Sequence, residues 1–261
     1  MREVGEKALA WVIANEANFA ADAPLWFAKR NGELALVAAL LLDAGDERGR
    51  PLLQRAWERF EAGAWLVREA PNMPALATVY PPFWRHGFRE PVLEQTFATT
   101  SVSATDPALR LLLACAHRNC ELPPPWNIGE LLATGELATR PATWEIDTRF
   151  AYLAMHVAWA GPLPAELATY VRRSLPAWIS WFVRTGEIDL LGEAIMTSHV
   201  LGDCVPPAEW RVLGEAQEAD GLVPFKQAWR GREVPARARF EASYHSTLVA
   251  LGAAALCTHA E

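Results

Sequence analysis

Apolar residues recur at three- and four-residue spacing along almost the whole chain, and prolines and glycines mark the gaps. This spacing is typical of helices with one buried face, while the alternation typical of strands is nearly absent. The pattern predicts long helices over residues 7–19, 25–44, 51–68, 107–119, 144–160, 165–185, 188–202, 207–219 and 240–258, and shorter helices over residues 76–80, 91–99 and 128–138.

About twelve helices joined by short links are too many for a four-helix bundle, whereas helix pairs wrapped into a ring would use them all. The sequence therefore predicts an all-α protein of the α/α-toroid type. A proline-rich stretch, residues 121–126, divides the chain near its middle. Neither side is distinct in composition, so we expect one domain over residues 1–261, with 121–126 as an internal division.

Composition narrows the classes of function. The chain has 261 residues, a net charge of -7 and 51% hydrophobic residues, which excludes a disordered protein. The mild acidity argues against a nucleic-acid partner. The longest apolar runs, residues 34–42 and 248–257, are about half of a membrane span, so we expect no membrane partner.

The charged start and the four cysteines predict a cytoplasmic protein with reduced thiols. Scarce lysine and abundant arginine and alanine indicate a bacterial source, and the oligomeric state stays open.

Common catalytic motifs are missing from the sequence. It holds no glycine-rich phosphate loop, no Gly-x-Ser-x-Gly elbow, no His-Glu-x-x-His and no Asp-Asp pair. Nucleotide-dependent, serine-hydrolase and zincin chemistries are therefore disfavoured, and attention moves to polar residues inside apolar helices of the C-terminal half.

Tyr152 and His156 are four residues apart and share one face of a predicted helix. His156 is flanked by apolar neighbours, which favours a specific role as ligand or base. The alternative is a core histidine bonded to a backbone carbonyl. His86, His117 and His259 are interpreted as surface residues.

On the next helix Asp189, Glu193, His199 and Asp203 fall within an arc of about 120°. Carboxylates four residues apart suit a divalent metal, and His199 is a candidate catalytic residue. The alternative is an exposed, charged helix face. Gly192 and Gly202 weaken the continuity of this helix.

His245 opens an apolar helix beside Tyr244, Ser246 and Thr247, and it is the strongest single candidate. With the preceding Gln-x-x-Asp-Gly turn, this segment resembles the last helix pair of α/α-toroid proteins such as protein prenyltransferase β subunits and terpenoid cyclases. The resemblance implies a zinc ligand at His245. Asp203 and Cys204 match the family's Asp-x-Cys segment only in part, because the intervening residue is missing.

A second resemblance covers more of the C-terminal half. The order of Tyr152 and His156, then Asp189 and Glu193, then Gln217-x-x-Asp-Gly, then the Tyr-His-Ser-Thr segment is similar to a helical family of bacterial specialised-metabolite gene clusters. That family has Thr before the first His, where this chain has Met155. The resemblance implies a biosynthetic setting and a site around the two histidines, and it supplies no reaction.

Together these features predict a metal-dependent biosynthetic enzyme acting on a small-molecule or peptide substrate. His156 and His245 would bind zinc or iron together with Glu193 or Asp189, and Tyr152 and Tyr244 would carry protons. Tryptophans would wall an apolar cavity; the candidates are Trp144, Trp159, Trp178 and Trp181. Two alternatives stay open: a binding module for a hydrophobic or peptide ligand, and a metal-free enzyme with a histidine–carboxylate pair.

Overall fold

The computed structural model describes residues 1–20, 23–142, 145, 147–161, 163–203 and 205–258. Within these residues there are thirteen α-helices and no strand. The helices are α1 (Arg2–Ala14), α2 (Pro24–Asp43), α3 (Gly49–Arg59), α4 (Ala64–Glu69), α5 (Pro81–Arg85), α6 (Pro91–Thr100), α7 (Pro107–Asn119), α8 (Ile128–Thr134), α9 (Thr148–Trp159), α10 (Ala165–Thr185), α11 (Ile188–Val200), α12 (Pro207–Ala216) and α13 (Ala236–Thr258).

Short 3-10 helices fill several of the links. They are Glu16–Phe19, Glu61–Gly63, Pro74–Val79, Ser101–Ser103, Glu136–Ala138 and Gln227–Trp229. The prediction of an all-α protein is confirmed. The predicted helix over 51–68 is wrong as one element, because Glu61, Ala62 and Gly63 all have positive φ and break it into α3 and α4.

Helix α13 lies at the centre of the packing, where it contacts α1, α2 and α11. Its apolar residues belong to two hydrophobic clusters. Leu248 and Leu251 pack with α1–α6, while Ala250 and Ala253 pack with α9–α12. Because one helix serves both clusters, it joins the N-terminal and C-terminal parts of the described chain. The predicted single domain and the closed ring of helix pairs stay predictions.

No helix in the described ranges is both long enough and apolar enough to cross a membrane. The predicted start of α9 at Trp144 lies outside the described residues, and the helix begins at Thr148. Asp147 caps it by accepting hydrogen bonds from the backbone N–H groups of Arg149 and Phe150. This cap sets the register that carries Tyr152 and His156.

Candidate functional site

Four titratable side chains meet where α2, α11 and α13 pack together. His245 Nε2 lies 3.2 Å from Glu193 Oε1 and 3.7 Å from Asp189 Oδ1. On the other side of the ring, Nδ1 lies 3.1 Å from Glu33 Oε2. The imidazole is therefore held between one carboxylate of α2 and two of α11. We call Glu33, Asp189, Glu193 and His245 the carboxylate–histidine cluster.

The cluster is buried but not sealed. Glu193 is fully buried. The side chains of Glu33, Asp189 and His245 are 22%, 25% and 20% exposed, respectively. Part of the cluster therefore reaches the solvent, while Glu193 forms its floor. The alternative expectation of a solvated helix face does not describe Glu193.

Close packing between α11 and α13 brings the carboxylates of α11 next to His245. Asp189 and Glu193 lie one turn apart in the first half of α11. Between them, a Cβ at Gly192 would lie 2.9 Å from Val249 Cγ1 on α13. Only a glycine allows the two helices to approach this closely without displacing Val249. Gly192, which makes a continuous helix less expected from the sequence, thus permits the contact between Glu193 and His245.

The loop before α13 fixes the two helices relative to each other. The Val223 backbone N–H donates to Thr247 Oγ1 at 2.9 Å, and Ser246 Oγ donates to the Val223 carbonyl at 2.7 Å. A few residues further on, the Phe225 carbonyl accepts a hydrogen bond from the Asp189 N–H at 3.1 Å. The polar residues that follow His245 in the sequence therefore hold this loop, and the loop reaches the start of α11.

At His245 and Glu33, the neighbouring charges shift the pKa in the direction opposite to the effect of burial. Burial by itself would lower the pKa of His245, but the negative charges of Glu33 and Asp189 and a hydrogen bond with Glu193 raise it well above its ordinary value. Burial would likewise raise the pKa of Glu33, but the adjacent His245 holds it below its ordinary value. Without a metal, His245 and Glu33 therefore form an ion pair.

For the two carboxylates of α11, the neighbouring charges do not offset the effect of burial on the pKa. Burial raises the pKa of Asp189 and of Glu193, and their mutual repulsion adds to the rise at Glu193. Asp189 Oδ1 and Glu193 Oε2 are buried oxygens that accept no hydrogen bond from any described residue. Buried acceptors without a donor are rare and costly, so they indicate that another group belongs at this position.

The geometry of the cluster fits a metal ion. One ligand atom each from Asp189, Glu193 and His245 lie within 4.8 Å of one another. Two ligands of one ion, with bonds near 2.1 Å, are at most about 4.2 Å apart, so a small side-chain rotation closes the triad. The orphaned oxygens supply negative charge, and Glu33 faces the far nitrogen of His245, as carboxylates behind metal-bound histidines do.

His156 lies beside the triad of Asp189, Glu193 and His245 but not within it. Its Nδ1 lies 2.9 Å from the Tyr152 carbonyl and 4.0 Å from Glu193 Oε2. The ring is held between those of Tyr152 and Trp159, with centroid distances of 3.9 and 4.5 Å. The backbone contact is the one that the alternative interpretation of His156 expects. Burial lowers the pKa of His156, so its imidazole is neutral and can exchange a proton.

The two predicted tyrosines differ in their surroundings. Tyr152 is 42% exposed and covers His156 from the solvent side. Tyr244 is buried in an aromatic group with Phe19 and Phe240. Burial and the charge of nearby Glu33 both raise the pKa of the Tyr244 phenol. Tyr152 is thus placed at the edge of the site, and Tyr244 behind it.

The structure does not bring His199 into the cluster. It lies near the end of α11, on the face toward α12, where its ring is 6.3 Å from that of Trp210. The predicted arc fails for Asp203 as well, because α11 ends at Val200 and Gly202 has a φ of 80°. Asp203 pairs instead with Arg172 at 3.5 Å. Cys204 lies outside the described residues.

Sequence reasoning missed Glu33. The signal was a carboxylate in the middle of the apolar helix α2, directly before the run at 34–42. The interpretation of His117 as a surface residue was wrong: it is buried, and its Nε2 lies 2.8 Å from Ser101 Oγ. His86 is largely buried beside Asp43. His259 lies outside the described residues.

The predicted tryptophans do not form one wall. Trp159 lines a cavity beside His156 and donates from Nε1 to Thr197 Oγ1 at 2.9 Å. Trp178 is buried in the core, and the Arg184 guanidinium lies over the Trp181 ring. Trp144 lies outside the described residues.

Residues 5–255 match the model of a family described as a domain of unknown function, DUF6895, and the chain belongs to that family. No curated protein and no solved structure matches the chain significantly. The chemistry of the site must therefore be argued from its own residues.

Proposed function

We propose that the protein is an enzyme that uses one divalent metal ion, zinc or iron, held by Asp189, Glu193 and His245. The observation that carries the proposal is the approach of three ligand atoms to within 4.8 Å of one another. The two buried oxygens without a donor support it, because a cation would compensate both. A divalent ion would hold the carboxylates of Asp189 and Glu193 in their charged form, against the rise in pKa that burial causes.

The proposed ligand set differs from the expected pair of histidines with one carboxylate. Both carboxylates of α11 are ligands, together with His245, and this leaves positions open for water or substrate. Glu33 Oε2 lies 3.1 Å from His245 Nδ1, and its charge favours a proton on that nitrogen, which presents Nε2 to the ion. His156, whose Nδ1 lies 4.0 Å from Glu193 Oε2, is placed to exchange a proton with the substrate.

The metal ion would supply Lewis acidity, which polarises a bound carbonyl or lowers the pKa of a bound water. The chain's own residues do the rest. Glu193 forms the floor, Tyr152 covers His156, and the neutral imidazole of His156 takes up or gives a proton. A small or peptide-like substrate in a biosynthetic setting is the class we propose, on the resemblance of the C-terminal half to proteins of bacterial metabolite clusters.

The test is the metal content of protein purified without a metal-binding tag. We expect about one equivalent of zinc or iron in the native chain and its loss in Asp189→Asn, Glu193→Gln and His245→Gln. The matched control is His199→Gln, a histidine of the same region outside the cluster, which should keep the metal. Circular dichroism checks that each variant is folded.

Absence of metal in the native chain, after incubation with zinc and with ferrous iron under anaerobic conditions, would overturn the proposal. Equal loss in the His199 variant would also contradict it, because the site would then not be the cluster. Retention of metal in folded Glu193→Gln would exclude the floor carboxylate as a ligand.

A second candidate has a specific observation in its favour. His245 lies between Glu33 and Glu193 with a strongly raised pKa, which suits a metal-free general acid. If no metal binds, this reaction class replaces the first. A binding module would keep its ligand affinity in His245→Gln, whereas either enzyme would lose product formation.

A further inference from the structure

A cavity of about 200 Å³ lies between α2, α5, α7 and α9. Its walls are mostly aliphatic and aromatic, with Leu36, Val79, Pro82, Leu112, Ala116 and Trp159 among them. Apolar concave sites of this kind are where proteins hold small ligands. Nothing in the metal-binding proposal uses this space.

The cavity adjoins the carboxylate–histidine cluster at two points. His156 lines the cavity, and its Nδ1 is 4.0 Å from Glu193 Oε2. Gly32 also lines it, and the next residue of α2 is Glu33, which contacts His245. A ligand in the cavity would therefore have one end at His156, next to the proposed metal ligands.

Three polar side chains along the wall each bond to another group of the protein. Arg85 pairs with Asp43 at 2.8 Å, and Asn119 Nδ2 donates to the Ala160 carbonyl at 2.6 Å. Thr78 Oγ1 donates to the Ala75 carbonyl at 2.7 Å. His156 uses Nδ1 toward the Tyr152 carbonyl, and its Nε2 makes no hydrogen bond to another described residue. The cavity therefore suits an apolar ligand with a single polar end.

The volume limits the size of the ligand. A dry protein cavity of about 150 Å³ holds one benzene molecule. A cavity of about 200 Å³ therefore has room to bury a single ring with one or two substituents. The remainder of a larger substrate would have to extend out of the cavity.

We infer that this cavity binds the compact apolar group of the substrate, about the size of one aromatic ring, with the polar end directed to His156. The inference rests on the proposed function for the role of the neighbouring cluster. The ligand class, however, follows from the cavity's own lining and volume, so the two can fail separately.

The experiment uses 4-fluorophenol as the probe and follows its binding by fluorine NMR. The native protein should bind it saturably, and about fivefold more tightly than fluorobenzene, because the phenol hydroxyl can bond to His156. This preference should vanish in His156→Ala. Ala116→Leu adds a side chain within the cavity and should weaken 4-fluorophenol binding at least tenfold. The matched control is Ala133→Leu on the exposed surface of α8, which should leave binding unchanged.

A second variant keeps the inference testable if Ala116→Leu does not fold. Leu36→Ala enlarges the cavity, and we expect it to gain affinity for 6-fluoro-2-naphthol, which the native protein should bind weakly. No saturable binding of 4-fluorophenol, or equal binding in native protein and folded Ala116→Leu, would overturn the inference.

The two proposals are separated by measuring metal and probe in the same samples. If the protein contains metal but does not bind the probe, only the inference about the cavity is contradicted. If it binds the probe but contains no metal, only the metal proposal is contradicted. Ala116→Leu should keep its metal, and Asp189→Asn should keep its affinity for the probe.

Discussion

Gly192→Ala tests whether close packing of α11 on α13 forms the site. The new Cβ would lie 2.9 Å from Val249 Cγ1, and the next nearest atoms are Val249 Cβ at 3.8 Å and the Ala250 backbone nitrogen at 4.0 Å. Val249 is buried and β-branched, so its side chain has little freedom to rotate away. The helices must separate, and Glu193 then moves away from His245.

The expected magnitude follows from two opposing effects. Overpacking of a tight core costs about 1–3 kcal/mol. Replacing glycine by alanine inside a helix returns about 1 kcal/mol. We therefore expect Gly192→Ala to lower the free energy of unfolding by about 1 kcal/mol, or roughly 2–4 °C in Tm for a chain of this size.

A second substitution turns this into a double-mutant cycle. Val249→Ala removes Cγ1, so in that background the alanine at 192 meets no clash and keeps the gain in helix propensity. Gly192→Ala should then raise the free energy of unfolding by about 1 kcal/mol. The coupling between the two positions is thus about 2 kcal/mol, well above the error of additivity for independent sites.

Urea unfolding of the four metal-free proteins supplies the energies, and metal titration supplies a second measurement. Metal affinity should fall in Gly192→Ala and recover in the double variant. The reasoning is refuted if Gly192→Ala stabilises the native background, or if its effect is the same with Val249 and with alanine at that position. Either result would mean that α11 and α13 are not in contact at this turn.

Three further predictions concern the surroundings of the site. Although burial lowers the pKa of His245, the neighbouring carboxylates raise it above its unfolded value near 6.5, so its stabilisation is full below that pH and disappears as pH rises through the folded pKa. Unfolding of the metal-free protein at a series of pH values above about 6.5 should show this decline, and His245→Gln should flatten it. Thr247→Val leaves the Val223 N–H without its acceptor and should cost about 1–3 kcal/mol in chemical denaturation, whereas Thr247→Ser should cost less. Gly221→Ala drives a Cβ into the Lys7 carbonyl oxygen at a φ of 96°, so we expect little folded protein by circular dichroism; near-native stability would contradict this.

The sequence predicts two helices best, and in each of them a capping residue marks one end. The predictions for 107–119 and 165–185 match α7 and α10 residue for residue. Asp106 accepts a hydrogen bond from the Leu109 N–H at the start of α7, and Gly186, with a φ of 70°, ends α10. The break between α3 and α4 was not predictable in this way, because Glu61 and Ala62 adopt positive φ without being glycine.

The site was predictable only in its local part. Helical spacing correctly puts Asp189 and Glu193 one turn apart, because that relation is set by a single helix. The same spacing grouped them with His199, since periodicity does not say which face meets which neighbour. Glu33 was missed for the opposite reason: its relation to His245 exists only in the tertiary packing of α2 on α13.

The central position of α13 has a kinetic consequence. This helix contacts α1 and α2 as well as α11, so its contacts join segments from opposite ends of the described chain. Such high contact order makes the docking of α13 a slow event in folding. His245 reaches Glu33 and Glu193 only after that docking. A bound ion would therefore slow the unfolding of the native protein and leave its folding rate almost unchanged.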